Sequence, residues 1–154
     1  MNQVVEYVIN GDLKRLAKEI KSGTDINTCE RDGRTLLMIA VSEKKLDLLQ
    51  YLIKKGADID RQDDEGNTAL HYACNDNNLE AVKILIENKA AVDIKDIHGN
   101  TPLSNAVYFS NGYGDVITLL LKHGADKNLK NNYGISPLEL AKGIANFNVI
   151  QFFD

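Results

Sequence analysis

Residues Asp63-Asp-Glu-Gly-Asn-Thr-Ala-Leu-His-Tyr-Ala-Cys74 and their continuation Asn75-Asp-Asn-Asn-Leu-Glu-Ala-Val-Lys-Ile-Leu-Ile-Glu-Asn-Lys-Ala-Ala-Val-Asp-Ile94 decide the fold. The stretch reads as a turn, a short helix, a tight turn, a second helix and a return loop. Thr68 is placed to cap the first helix, because its hydroxyl can accept from the free amides of the first turn. Leu70 and Ala73 then share one helical face, and Leu79, Val82, Leu85 and Ile86 form the apolar stripe of a second helix. Helices this short are not stable alone. Such a pair can bury its apolar face only against another copy of itself.

The copies are present. Gly33, Gly66 and Gly99 recur at intervals of 33 residues, and Gly134 follows after 35. Thr35, Thr68, Thr101 and Ser136 each stand two residues past the glycine. Leu37, Leu70, Leu103 and Leu138 stand four past it, and Ala40, Ala73, Ala106 and Ala141 seven past it. Gly-Ala-Asp-Ile-Asp (56–60), Ala-Ala-Val-Asp (90–93) and Gly-Ala-Asp-Lys-Asn (124–128) close successive units, and Gly-Thr-Asp-Ile-Asn (23–27) closes a partial first one. The period and the Thr-x-Leu-x-x-Ala pattern resemble the ankyrin repeat, most clearly at Thr101-Pro102-Leu103 and Thr68-Ala69-Leu70-His71. The resemblance covers essentially the whole chain. It implies an all-α solenoid of helix-turn-helix units with β-turn fingers, about five units including two caps.

One domain over 1–154 is expected, with an N-terminal cap unit at 1–28, internal units at 29–61, 62–94 and 95–129, and a C-terminal cap unit at 130–154. In the first unit, Val4, Val5 and Val8 mark one helix and Leu13, Leu16 and Ile20 the next; Lys14, Arg15, Lys18, Glu19 and Lys21 around that stripe suit the wet face of a cap. In the second, Lys44 and Lys45 occupy the inter-helix turn that usually holds glycine, a strained choice if the left-handed conformation is kept. Asn77 tolerates that turn better. Lys89 stands where other units have Gly23, Gly56 and Gly124. The extra two residues of the fourth unit lie within Tyr108–Asp115. Gly114 falls where a core leucine stands in earlier units, so Tyr113 is expected to fill the gap and Asp115 to cap the following helix. Phe147, Ile150 and Phe153 should form a short final helix that covers the last face of the stack.

The chain has 154 residues, 44 % of them hydrophobic and only 6 % aromatic, which suits thin helices stacked through Ala, Leu and Ile. Its net charge of −4 argues against a nucleic-acid backbone as the main partner, and suits a basic protein. The N-terminus carries no basic region or long apolar run, so no secretory signal is expected. No window approaches a membrane span of roughly 18 apolar residues. Cys29 and Cys74 occupy different places in their units, so two free thiols in a reducing cytoplasm are expected.

No catalytic pattern is found. His71, His98 and His123 fall in an inner helix, a finger and the end of an outer helix, which implies no metal cluster. There is no Cys-x-x-Cys, Gly-x-Ser-x-Gly or P-loop, and Gly112-Tyr-Gly114 lacks a preceding strand. Neither a cofactor nor an enzymatic activity is expected. In the ankyrin family the Thr68–His71 pairing ties the finger to the helix by hydrogen bonds, so a structural role is implied for His71.

The resemblance implies a protein-binding module whose partner meets the concave face of finger tips and inner helices. Here that face comprises Arg31, Asp32 and Arg34, then Asp64, Glu65 and Asn67, then Ile97, His98 and Asn100, then Asn132, Tyr133 and Ile135. Ser42, Glu43, Asn75, Asp76, Tyr108 and Phe109 come from the inner helices. The contact is expected to centre on Tyr108, Phe109 and Tyr133, because aromatic residues carry much interface energy, with Asp64, Glu65 and Asp76 beside them to steer a basic surface. The closing stretch Lys130-Asn-Asn-Tyr-Gly-Ile-Ser-Pro-Leu-Glu-Leu-Ala-Lys-Gly-Ile-Ala-Asn-Phe147 is similar to small bacterial ankyrin proteins that serve as immunity partners of polymorphic toxins. That implies a dedicated inhibitor, monomeric when free, of a cytoplasmic toxin or effector. An adaptor that bridges proteins without inhibiting either is the alternative.

Overall fold

A computed structural model describes residues 2–144 and 147–153; Met1, Asp154 and the Ala145-Asn146 pair of the closing stretch lie outside the described residues. The elements run α1 (Gln3–Ile9), α2 (Leu13–Lys21), α3 (Leu36–Ser42), α4 (Leu46–Lys54), α5 (Ala69–Asn75), α6 (Leu79–Glu87), α7 (Pro102–Tyr108), α8 (Asp115–Lys122), α9 (Pro137–Gly143) and a 3-10 helix, Val149–Phe153. The described residues contain no strand, only an isolated antiparallel bridge between Cys29 and Thr35. Odd-numbered helices stack into an inner row, α1 on α3 on α5 on α7 on α9. The outer row continues α4, α6, α8 and the 3-10 helix. The result is an all-α solenoid of helix-turn-helix units.

Each short inner helix starts where a side chain can satisfy its free amides. The hydroxyls of Thr35, Thr68, Thr101 and Ser136 accept from the backbone amides three residues on, at 3.3, 3.4, 3.3 and 3.2 Å, a cap worth roughly 1 kcal/mol each. Asp12 and Asn78 do the same for outer helices. Asp115 does not: α8 begins at Asp115 itself, and Gly114 precedes it with no side-chain cap. A carboxylate at the first helical position still lies favourably against the helix dipole.

The turns between paired helices are left-handed at Gly11, Lys44, Asn77 and Asn111, with φ of 73, 55, 48 and 49°. Lys44 therefore carries the strain that its position implies. Lys89 at φ 71° holds the same corner that Gly56 and Gly124 hold at 88°. Its amide still donates to Ile86 O and that of Ala90 to Leu85 O, as in the glycine corners. The backbone pattern survives the change of residue.

The stripe leucines form one continuous core: Leu16, Leu49, Leu52, Leu85, Leu103 and Leu120 are all fully buried. Leu13 is not part of it and stands exposed. At the C-terminal end the structure corrects the expected packing. Tyr113 points out to solvent. The space of the missing leucine at Gly114 is taken by the ring of Phe152, which a Cβ on Gly114 would strike. Phe147 stays exposed, and a Cβ on Gly112 would lie 2.8 Å from its ring. Val149 and Phe153, not Phe147, are the buried side chains of the closing segment. The two glycines thus seat the two phenylalanines, and Lys127 Nζ donates to the Phe153 carbonyl at 3.0 Å.

Candidate protein-binding face

The fingers are loops of one design, built on an Asp or Asn at a fixed register. Asp63 Oδ1 accepts from the amides of Glu65 and Asn67 at 3.0 and 2.8 Å. Asp96 Oδ1 holds those of His98 and Asn100 at 2.9 and 2.8 Å. Asn131 Oδ1 holds those of Tyr133 and Ile135, both at 3.0 Å. The first finger has Glu30 there, a methylene longer, and Asp32 instead accepts from the Arg34 amide at 3.2 Å. Asp63 is itself buried and also accepts from the Tyr72 hydroxyl at 2.7 Å. Burial, then the Asp63 carboxylate, push the Tyr72 phenol well above its ordinary pKa. The spacing of glycines led the reading to each finger but missed these residues. The recurrence Asp63, Asp96, Asn131 at the same register was the available signal.

Fingers are laced to one another. The Asp64 amide donates to Asp32 O, that of Ile97 to Glu65 O and that of Asn132 to His98 O, at 3.0, 3.0 and 2.9 Å. The lacing needs glycine. A Cβ on Gly33, Gly66 or Gly99 would lie 2.9, 2.9 or 2.8 Å from the amide nitrogen of the next finger. Beneath, His71 joins two units. Its Nδ1 accepts from the Thr68 amide at 3.1 Å, so Nε2 carries the proton and donates to Asn100 O in the next finger at 3.2 Å. Burial lowers the His71 pKa, against the pull of Asp96 and Asp63. The ring is a neutral strut.

On this platform Arg31, Asp64, Glu65, Ile97, His98 and Tyr133 are exposed. Arg34 is held by Asp32 at 2.8 Å and by Glu30 at 3.0 Å. Burial pushes the Asp32 pKa up, but the Arg34 backbone amide, then the hydrogen bond and charge of its guanidinium, outweigh that and keep it below its usual value. Asn67 is half-buried, while Asp76 is exposed just past α5. Tyr108 and Phe109 meet edge to face, 4.9 Å between centroids. They line a groove of about 300 Å³ with Asn100, Ser104, Asn105, Asn131, Ile135, Ser136 and Leu140. Tyr133 does not join that groove. It stacks on His98 at 6.5 Å, at the finger tips. The three aromatic residues therefore divide into a groove pair and a finger-tip stack. Leu140, four residues past Ser136, was missed as a lining residue; it holds the register position of Asn105.

Exposed large apolar side chains gather toward the C-terminal end of this face. Ile97, Tyr108, Phe109, Tyr113, Tyr133, Ile135 and Phe147 are exposed, and all lie in the second half of the chain; Leu13 is the exception elsewhere. Exposed Asp64, Glu65 and Asp76 lie in the preceding unit. A wider concavity of about 710 Å³ at the first finger is lined by Asn2, Cys29, Glu30, Arg31, Asp32 and Arg34, without an aromatic residue. Among the described residues, no group of three or more His, Cys, Asp or Glu side chains could hold a metal ion, and no helix is long and apolar enough to cross a membrane. The arrangement is a continuous surface of fingers laced by backbone hydrogen bonds.

A family model for ankyrin repeats (3 copies) matches residues 4–96 and, in a second alignment, residues 37–131. No curated protein matches the chain.

Proposed function

The chain belongs to the ankyrin repeat family and is a protein–protein interaction module; we propose that its partner docks on the finger side, centred on the groove between α7 and α9. The observation that carries this is Tyr108, left 68 % exposed beside Phe109 and Ile135 on the inner row of helices. Water-exposed aromatic area gains nothing for the free chain, but is the commonest source of binding energy at an interface. The exposed carboxylates of Asp64, Glu65 and Asp76 favour a basic partner. Arg31, Asp32, Arg34, Asn67, Ile97 and His98 complete the contact around these residues. The role proposed is a dedicated, non-catalytic inhibitor of a basic toxin or effector in the cytoplasm, acting as one 1–154 domain, monomeric and without a cofactor. This rests on the likeness of the 130–147 stretch to small immunity proteins.

A second reading, an adaptor, is favoured by exposed Lys14, Arg15, Lys18 and Lys21 on α2, a basic surface on a different helix row from the aromatic groove. The test is to capture partners from the native cell with the tagged chain, then express each partner alone and together with it. A single partner whose growth arrest is relieved by the chain supports inhibition. Several harmless partners contradict it and favour the adaptor.

A further inference from the structure

Among the described residues the row of inner helices starts with α1, but the row of fingers starts one unit later, with Glu30–Arg34. Each later finger lies against the one before it in a fixed register. The residue two before its glycine, Asp64, Ile97 or Asn132, donates its amide to the residue one before the preceding glycine, Asp32, Glu65 or His98. Arg31 holds that donor position in the first finger, and its amide has no acceptor among the described residues. An edge with unpaired amides is a template for further backbone pairing. Asn2 caps α1 as Thr35 caps α3, and every later finger runs directly into such a cap. The concavity of about 710 Å³ lined by Asn2, Cys29, Glu30, Arg31, Asp32 and Arg34 lies between the α1 cap and the first finger. It therefore occupies the place that a preceding finger takes in each later unit.

We infer that this concavity binds a glycine-containing turn at the tip of a protein partner's loop, with a backbone carbonyl of the turn accepting from the Arg31 amide and a carboxylate pairing with the Arg31 guanidinium. The site lies at the other end of the finger row from the α7–α9 groove and does not rest on that docking face. The contacts between fingers specify the occupant. In each pair the accepting carbonyl belongs to the residue just before the glycine, and a Cβ on Gly33, Gly66 or Gly99 would lie 2.9, 2.9 or 2.8 Å from the donor nitrogen. The turn must therefore read x-Gly, with its glycine against the backbone of Arg31. Arg34 holds both Glu30 and Asp32, at 3.0 and 2.8 Å. Arg31 is exposed and joins no ion pair among the described residues, so it selects an acidic residue at or beside x. A second copy of this chain does not fit. Each of its fingers runs straight into an inner helix, which would fall on α1.

The probe is a head-to-tail cyclised peptide carrying Asp-Asp-Glu-Gly-Asn, the turn of residues 63–67, titrated into the isotope-labelled full-length chain and followed by amide chemical shifts. The Arg31 amide should move most, half-saturating near about 1 mM peptide, and its hydrogen exchange should slow. Replacing the peptide glycine by alanine should abolish the shifts. Arg31→Ala keeps the amide and should lose only the salt-sensitive part of the affinity. Arg31→Pro removes the amide as well. Residue 31 is the second of a turn closed by the Gly33 amide on Glu30 O at 3.1 Å, a position that proline favours, so the fold is kept. Arg31→Pro should bind about fivefold more weakly than Arg31→Ala. Equal affinities of these two variants overturn the inference. Equal binding of the glycine and alanine peptides overturns it on the parent chain alone, should the proline variant fail to fold. No shift at Arg31 up to about 5 mM peptide, or shifts centred on Tyr108 and Phe109, overturns it too and leaves the α7–α9 docking face standing.

Discussion

Replacing Gly66 with alanine tests how the fingers are held together, and Gly134 supplies the internal control. The two glycines share one backbone conformation, φ 76 and 78°. Either alanine therefore suffers left-handed strain of about 1–2 kcal/mol, offset by roughly 0.4–1 kcal/mol because alanine restricts the unfolded chain. At Gly134 a Cβ meets nothing within 4 Å, so the net cost should be about 1 kcal/mol. At Gly66 the Cβ comes to 2.9 Å from Ile97 N and 3.0 Å from Asp96 Cα. These are backbone atoms and cannot rotate aside. The third finger must retreat, stretching the Ile97 N–H to Glu65 O bond of 3.0 Å, worth about 1 kcal/mol. Overpacking of this kind adds roughly 1–3 kcal/mol. Gly66→Ala should therefore cost about 3–5 kcal/mol in total. Urea unfolding followed by far-UV circular dichroism measures both variants on one scale. Equal costs at the two positions would refute the lacing argument and leave only the turn conformation.

Protonation of His71 should destabilise the stack. Its folded pKa lies below the ordinary 6.5, so the unfolded chain binds the proton first; stability is full above about 6.5 and falls as the pH drops below it. Urea midpoints between pH 7.5 and 5 should show this slope, and His71→Gln should flatten it at lower overall stability. Phe153→Ala should cost roughly 3 kcal/mol, because the ring is buried, whereas Phe147→Ala should change the urea midpoint little. Cys29 is half-buried and should react readily with a thiol reagent in the folded protein. Cys74 is fully buried with its thiol pKa pushed up by that burial, and should react only on unfolding; comparable rates would place Cys74 at the surface.

The repeat was legible because a solenoid writes the same physical requirement into the chain every 33 residues. Thr68 must cap, Leu70 must fill and Gly66 must turn, so the same residue types return at Thr101, Leu103 and Gly99. Lys44 and Lys89 hid nothing, since each keeps the backbone of its glycine counterparts. Reading failed where the fourth unit leaves the period. Gly114 opens a space that a neighbour in sequence, Tyr113, was expected to fill. A residue 38 positions away, Phe152, fills it instead. Long-range packing of that kind leaves no periodic trace. Most positions of the proposed binding face were legible as exposed ones. The division of Tyr108 and Phe109 from Tyr133 was not, because it depends on which neighbour each ring finds across the stack.

The most direct test of the binding face is the affinity of the captured partner for Tyr108→Ala, read by calorimetry beside the melting temperature of the free variant. An exposed groove anchor predicts affinity lower by roughly 2 kcal/mol, about thirtyfold, with the melting temperature unchanged. Unchanged affinity with a lowered melting temperature would show that the ring supports the fold and that the partner binds elsewhere.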